Sequence, residues 1–375
     1  MTGLLTRVMH DHADAAAAEV DVDEIISEGD RRVRRQRVRH GLVAAVLAGA
    51  VVAGASSVPL LVGGSHDPTA GGLSFRHRAA TYAVGSSVHV GGHTFDVGRP
   101  VASLVQTDGG IVYTTRDGRV WHYDGVTTVE IGRAEGHRLR ADDQGSLVAW
   151  VETAEDGHPQ YVVHSTMRRA ELARLDDDAA GPARAAGDLG TEVFAVDDGS
   201  VYLRRDGDLV RYDVPSDTEA ALAGAEPGTA AEIVDVAYGA LAYTVDGTRP
   251  GNRRPGIAVG QRPDPEGVAL AAAGTGALSP DGRLLAADEH GTMAIYAADD
   301  GLDVTPTVDG YRDVVAYDWV GDDMATVLAV SDRRGARVTG DVLTCDVSDD
   351  ACSVVSSFRD VAATDIVTAG GDPAH

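Results

Sequence analysis

An all-β chain of repeated four-stranded units, arranged as a β-propeller and preceded by one transmembrane α-helix, is the fold class that three features predict. They are an uncharged run of membrane-spanning length, short strand-like runs at a regular interval, and Gly-bearing turns between those runs. The chain has 375 residues, 43% of them apolar and 45 of them Gly, enough for a sizeable core and many tight turns. At this length two average domains or one propeller are both possible.

The first element is the apolar run Gly41–Gly63, 23 residues without a charge. A helix rising 1.5 Å per residue needs about 20 to cross the hydrocarbon core. Six cations stand just before it, Arg31, Arg32, Arg34, Arg35, Arg37 and Arg39, and clusters of this kind stay on the cytoplasmic side. The expected topology is a cell membrane protein of one span. Residues 1–40 form a cytoplasmic helical juxtamembrane segment, 41–63 the span, 64–80 a linker and 81–370 an extracytoplasmic domain. A signal peptide cut after Ala53-Gly54-Ala55 is the rival reading, although some 40 residues precede the run, and both readings export the C-terminal part. The stub is too short for a core of its own. It reads as a helix meeting anionic lipid, or as a docking peptide. His10 and His12 would point to different faces of that helix, so they make no metal site.

Charge separates the parts. All 32 basic residues are Arg, and residues 64–375 carry fifty acids against twenty-five of them, a field that excludes nucleic acid as a partner.

The exported part is a repeat array. Strand-like runs start at Gly110, Gly145, Gly199, Gly239, Gly282 and Gly321, spaced 35, 54, 40, 43 and 39 residues, near the period of a four-stranded blade. Most are followed by a second polar-aromatic run, as at Arg119–Asp124, Asp208–Asp213 and Thr292–Tyr296. Asp117-Gly118 and Asp206-Gly207 supply hairpin turns between the two. The long interval holds Asp176-Asp177-Asp178 and a Gly/Pro/Ala stretch, read as a loop between blades. Residues 81–97 and 360–367 could pair the two ends of the domain in one further blade, so seven blades are favoured over six. A pair of β-sandwiches is the alternative, and it does not explain the spacing.

Ser279-Pro280-Asp281-Gly282-Arg283-Leu284-Leu285-Ala286 resembles the turn-and-strand motif of TolB-like and WD40-like propeller repeats. The other five repeats keep the strand and Gly without Ser-Pro, and the Trp-Asp and Gly-His pairs of strict WD40 repeats are missing. The whole plan is similar to membrane-anchored propeller proteins of actinobacteria. The resemblance implies a fold more than a function.

Candidate chemistry is sparse. Cys345 and Cys352, with six residues between them in a presumed hairpin of an exported domain, read as a structural disulfide rather than a redox pair. The doublets Asp197-Asp198, Asp299-Asp300, Asp322-Asp323 and Asp349-Asp350 read as turn chemistry. Their convergence on one face to bind Ca²⁺ is the sharper alternative, though no D-x-D-x-D-G loop is present. No G-x-S-x-G in the exported part, no H-E-x-x-H and no P-loop occurs, and nothing calls for a cofactor. His122, His137, His158, His164 and His290 are scattered and read as packing or surface residues. The basic loop Arg249–Gly256, with Arg249, Arg253 and Arg254, is either an exposed insertion or a contact for an acidic partner. Two functions stay open: a binding module for protein, peptide or glycan, and an enzyme of lyase or glycosidase type in the central cleft. Converging carboxylates or His at the channel would favour the enzyme, and exposed aromatics the module.

Overall fold

The computed structural model describes residues 74–370 apart from 177–190, 206–207, 223–232, 246–255, 264–266, 274 and 289–291. The expected span at 41–63, the arginines at 31–39, the basic residues Arg249, Arg253 and Arg254, and the proposed loop at 177–190 lie outside the described residues. Among the described residues no helix is long and apolar enough to cross a membrane.

Among the described residues, short β-branched and aromatic runs divided by Gly and Asp turns make 27 strands, and these form seven antiparallel sheets. In chain order, β1 (Thr81–Val84), β2 (Ser87–Val90) and β3 (His93–Asp96) belong to the last blade. Blade 1 is β4 (Val101–Thr107), β5 (Gly110–Thr115), β6 (Arg119–Tyr123) and β7 (Thr128–Arg133). Blade 2 is β8 (Arg140–Ala141), β9 (Leu147–Thr153), β10 (Pro159–Ser165) and β11 (Ala170–Asp176). Blade 3 is β12 (Glu192–Asp197), β13 (Ser200–Arg205), β14 (Asp208–Asp213) and β15 (Thr218–Ala221). Blade 4 is β16 (Ile233–Ala237), β17 (Ala240–Val245), β18 (Gly256–Gly260) and β19 (Val268–Ala273). Blade 5 has β20 (Gly276–Leu278), β21 (Leu284–Asp288) and β22 (Met293–Ala297). Blade 6 is β23 (Asp313–Trp319), β24 (Met324–Arg334), β25 (Arg337–Asp346) and β26 (Ala351–Ala362). Finally β27 (Ile366–Thr368) pairs with β1 and completes blade 7 in the order β27-β1-β2-β3.

The structure is therefore a seven-bladed propeller closed by its own two ends, with Ala83 opposite Val367. Each of the six Gly-led runs is the second strand of its blade. In blade 5 the segment after β22 stands in for a fourth strand, with Val304 N–H donating to the Ile295 carbonyl at 2.8 Å.

Burial falls from the centre outward. The innermost strand β4 is buried at every residue, whereas the outermost β7 and β15 are half-buried or exposed. The core is accordingly a ring of clusters wedged between neighbouring blades. Val105, Val112, Val148, Trp150 and Val162 fill the seam of blades 1 and 2, and Phe194, Tyr202, Leu241 and Tyr243 that of blades 3 and 4. Each such side chain contributes about 1.5–3 kcal/mol when fully buried, so the blades hold one another and none stands alone. Four inner strands carry a register shift against their second strand, at Val101/Ser103, Val193/Ala195, Ile233/Asp235 and Ala316/Asp318. A bulge re-aims the residue that follows it. In β16 and β23 that residue is an aspartate.

Candidate functional site at the mouth of the channel

Because neighbouring strands are antiparallel, the turns from first to second and from third to fourth strand of every blade open on one face. The inner strands β8, β12, β16 and β23 all run toward that face, and they bring Asp142, Asp197, Asp235 and Asp318 toward its centre. Most of these carboxylates are employed as clamps. Asp197 accepts the N–H groups of Tyr238 and Gly239 in the next blade, both at 3.1 Å. Asp235 accepts Val236 N–H at 2.9 Å and, across the seam, Leu278 N–H at 2.7 Å. Asp142 accepts Gln144 N–H at 2.9 Å, and its carboxylate lies where a Cβ on Gly145 would stand, 2.2 Å away. Only Gly fits there.

The turn after β8 then reaches over the mouth. Gln144 donates from blade 2 to the Pro280 carbonyl of blade 5, three blades around the ring, at 2.9 Å. From the other side comes the segment before β1. Gln106 at the end of β4 pins it, accepting Thr81 Oγ1–H at 2.8 Å and Ala79 N–H at 3.3 Å, and donating to the Phe75 and His77 carbonyls. So held, Arg78 inserts its guanidinium into three acceptors: the Asp142 and Asp143 carbonyls, each 2.9 Å away, and the Asp143 carboxylate at 3.1 Å.

Asp235 and Asp318 occupy equivalent positions after their bulges, and each carboxylate accepts the N–H of the residue that follows it. The second oxygen of Asp235 is bonded to the next blade. That of Asp318 is buried with no hydrogen-bond partner.

Electrostatics follow from this crowding. Burial pushes the Asp318 carboxyl up to about 7, Asp143 acting in the same direction against the pull of Arg78. Burial raises Asp142 to about 7, with Asp143 and Asp197 adding to it. Asp235 is raised to about 8, again chiefly by burial, while Arg140 draws it down slightly.

The same face carries exposed apolar side chains in its turns, Val126, Met167, Tyr238 and Leu302, with Tyr238 79% exposed. Tyr238 and Gly239 both have positive φ, 50° and 76°, the pattern of a hairpin turn that ordinarily takes Asn or Asp at the first position. A bulky Tyr there costs backbone energy and projects its ring outward.

Of the sequence-predicted residues, Cys345 and Cys352 are directly paired across β25 and β26 and form a disulfide with Cα atoms 4.0 Å apart. The four acidic doublets do share one face, in the turns just described. Among the described residues, however, no group of three or more His, Cys, Asp or Glu is arranged to hold a metal ion. His122 and His164, read as scattered, pack against each other. Sequence reasoning missed Arg78, Asp142, Asp143, Asp235 and Asp318 altogether.

No family model matches the chain, and no curated protein does. Among solved structures it is similar to TolB from Acinetobacter baumannii, at 14% identity over 79% of this chain and 67% of that one, with a TM-score of 0.39. It is also similar to a prolyl endopeptidase at 12% identity, covering 77% of this chain and 51% of that one, TM-score 0.47. The tricorn protease gives 13% identity over 68% of this chain and 30% of that one, TM-score 0.40. The likeness carries no argument about activity at these values. The propeller rests on the sheet order itself.

Proposed function

We propose that this chain is a single-pass membrane protein whose extracytoplasmic propeller is a binding module for a protein or peptide, engaged at the face that carries the channel mouth. The observation that bears it is the coincidence on that face of many Asp side chains, among them Asp143, Asp198, Asp300, Asp323 and Asp350, with exposed Tyr238, Met167, Val126 and Leu302. Among the described residues its turns hold fewer arginines, and Arg169 and Arg283 are paired with Asp124 and Asp281. Negative charge interleaved with apolar contacts suits a basic partner segment with apolar side chains. The carboxylates gathered at the mouth are largely engaged by backbone N–H groups, which favours the module over lyase or glycosidase chemistry.

Anchoring rests on the 23-residue uncharged run behind six arginines. Two measurements test the proposal. The intact N-terminus should stay with alkali-washed membranes while protease added outside removes the propeller. A fluorescent Arg- and Leu-bearing peptide should bind the full chain, weakening about tenfold as salt rises through the physiological range, and Tyr238→Gly should weaken it without lowering stability. Equal binding of an acidic peptide, or indifference to Tyr238→Gly, would reject the assignment of this face.

A further inference from the structure

We infer that the mouth of the channel is a guanidinium-binding site that Arg78 fills from within the chain, and that an arginine of a partner bound at this face takes its place. The inference rests on the face assignment above and adds the chemistry of its centre.

The site is built for a planar, forked cation. Two backbone carbonyls from consecutive residues, Asp142 and Asp143, and one carboxylate oxygen converge on Nε and Nη2 of one side chain. A guanidinium presents these Nε and Nη2 donors together in one rigid fork, whereas an ammonium offers a single point charge. The acceptors are fixed by the fold: Gln144 ties the turn to Pro280 on the far wall, and Asp142 is seated over Gly145.

The site also has capacity beyond what Arg78 uses. Asp318, on the inner strand β23 that runs toward the same face, is 7% exposed and keeps one carboxylate oxygen without any partner. Its counterpart Asp235 spends the same oxygen on Leu278. An unpartnered buried carboxylate oxygen beside a guanidinium cradle marks an acceptor still to be satisfied. Arg140, the other cation near these acids, is bonded to the Phe194 and Leu139 carbonyls.

Arg78 is a replaceable occupant. It belongs to no strand, and it lies with Ala79 between two buried anchors, Phe75 against the Tyr123 ring and Ala80, where Gln106 holds the backbone. Asp143 remains one third exposed, at 34%, so the cradle is open to solvent on the side from which a partner would come. Exchange of one arginine for another conserves the hydrogen bonds of the site, and its cost is the loosening of Arg78 and Ala79 between the buried Phe75 and Ala80.

The test uses the full chain with N-acetyl-arginine methylamide as probe and the neutral, isosteric citrulline derivative as control. Arg78→Ala should bind the arginine derivative about tenfold more tightly than the unaltered chain, because the internal competitor is gone. The citrulline derivative should bind neither, and adding Asp318→Asn should cost about tenfold again. In the unaltered chain, saturating arginine derivative should speed hydrogen exchange at Ala79, whose N–H is held by Gln106. This arm does not depend on the variant folding. Equal binding of the two derivatives, or an Ala79 exchange rate unmoved by saturating probe, overturns the inference. The face assignment fails separately, through peptide binding and Tyr238→Gly, whereas this inference fails through the arginine derivative and Ala79 exchange.

Discussion

His122 and His164 face each other across the seam of blades 1 and 2, ring centroids 6.3 Å apart, with His122 Nε2 3.1 Å from the Gly109 carbonyl and His164 Nδ1 buried without a partner. Burial lowers both pKa values, that of His164 to about 4, where the His122 ring also opposes protonation. Glu171, Asp124 and Arg169 are the charged groups nearby. The unfolded chain takes up protons near pH 6.5 that the folded chain refuses, so this seam contributes fully above pH 6.5 and loses stability as pH falls toward 4. His164→Gln should flatten the fall of Tm between pH 6.5 and 4.5, and an unchanged slope would refute the assignment.

Asp318 should behave in the opposite sense. Its carboxyl titrates near 7 in the fold and near 4 when unfolded, so the folded state binds the extra proton. Its contribution therefore improves as pH falls from about 7 toward 4 and is least favourable above 7. Asp318→Asn should raise Tm at pH 8, with the gain shrinking by pH 5, as thermal melts across that range would register.

Asp197 joins blades 3 and 4 through two backbone N–H groups at once. Asp197→Ala removes both bonds at this exposed turn, and the loss should be about 0.5–1.5 kcal/mol in urea unfolding with the m-value unchanged. A cost below a few tenths would mean that water replaces the carboxylate freely.

The Cys345–Cys352 link closes a short loop on the hairpin of β25 and β26, with Cys345 buried in the seam of blades 5 and 6. Replacing both with Ala should cost about 2–3 kcal/mol on chain-entropy grounds. The intact protein should run two hydrogens lighter by mass spectrometry without reductant than with it.

What the sequence made readable was local. Alternation and Gly-bearing turns located the second strand of six blades, because a hairpin is specified by its own turn and pleat. The disulfide was legible for the same reason. The lateral bonds left a subtler trace. His122 and His164, Asp235 and Leu278, and Trp319 and Ala277 are separated by 42, 43 and 42 residues, one blade each, so stacking the repeats in register would have paired them. Arg78 with Asp143, and Gln144 with Pro280, follow no such period, since they meet only where the ring brings distant turns over its axis. A segment before the first strand carries no hydrophobic pattern that announces where it will lie.

Closure of the last sheet sets an order on the making of the protein. Strands β1–β3 are among the first to be synthesised, yet β1 has no inner neighbour until residues 366–368 arrive. Six blades can stack on one another as they emerge, while the earliest hairpin waits with an open edge. A chain arrested a dozen residues short of residue 370 keeps that edge exposed, however well its middle has folded. The ring thus closes only when residues 366–368 reach β1, and a chain lacking them presents an unpaired strand edge to proteases and to other chains.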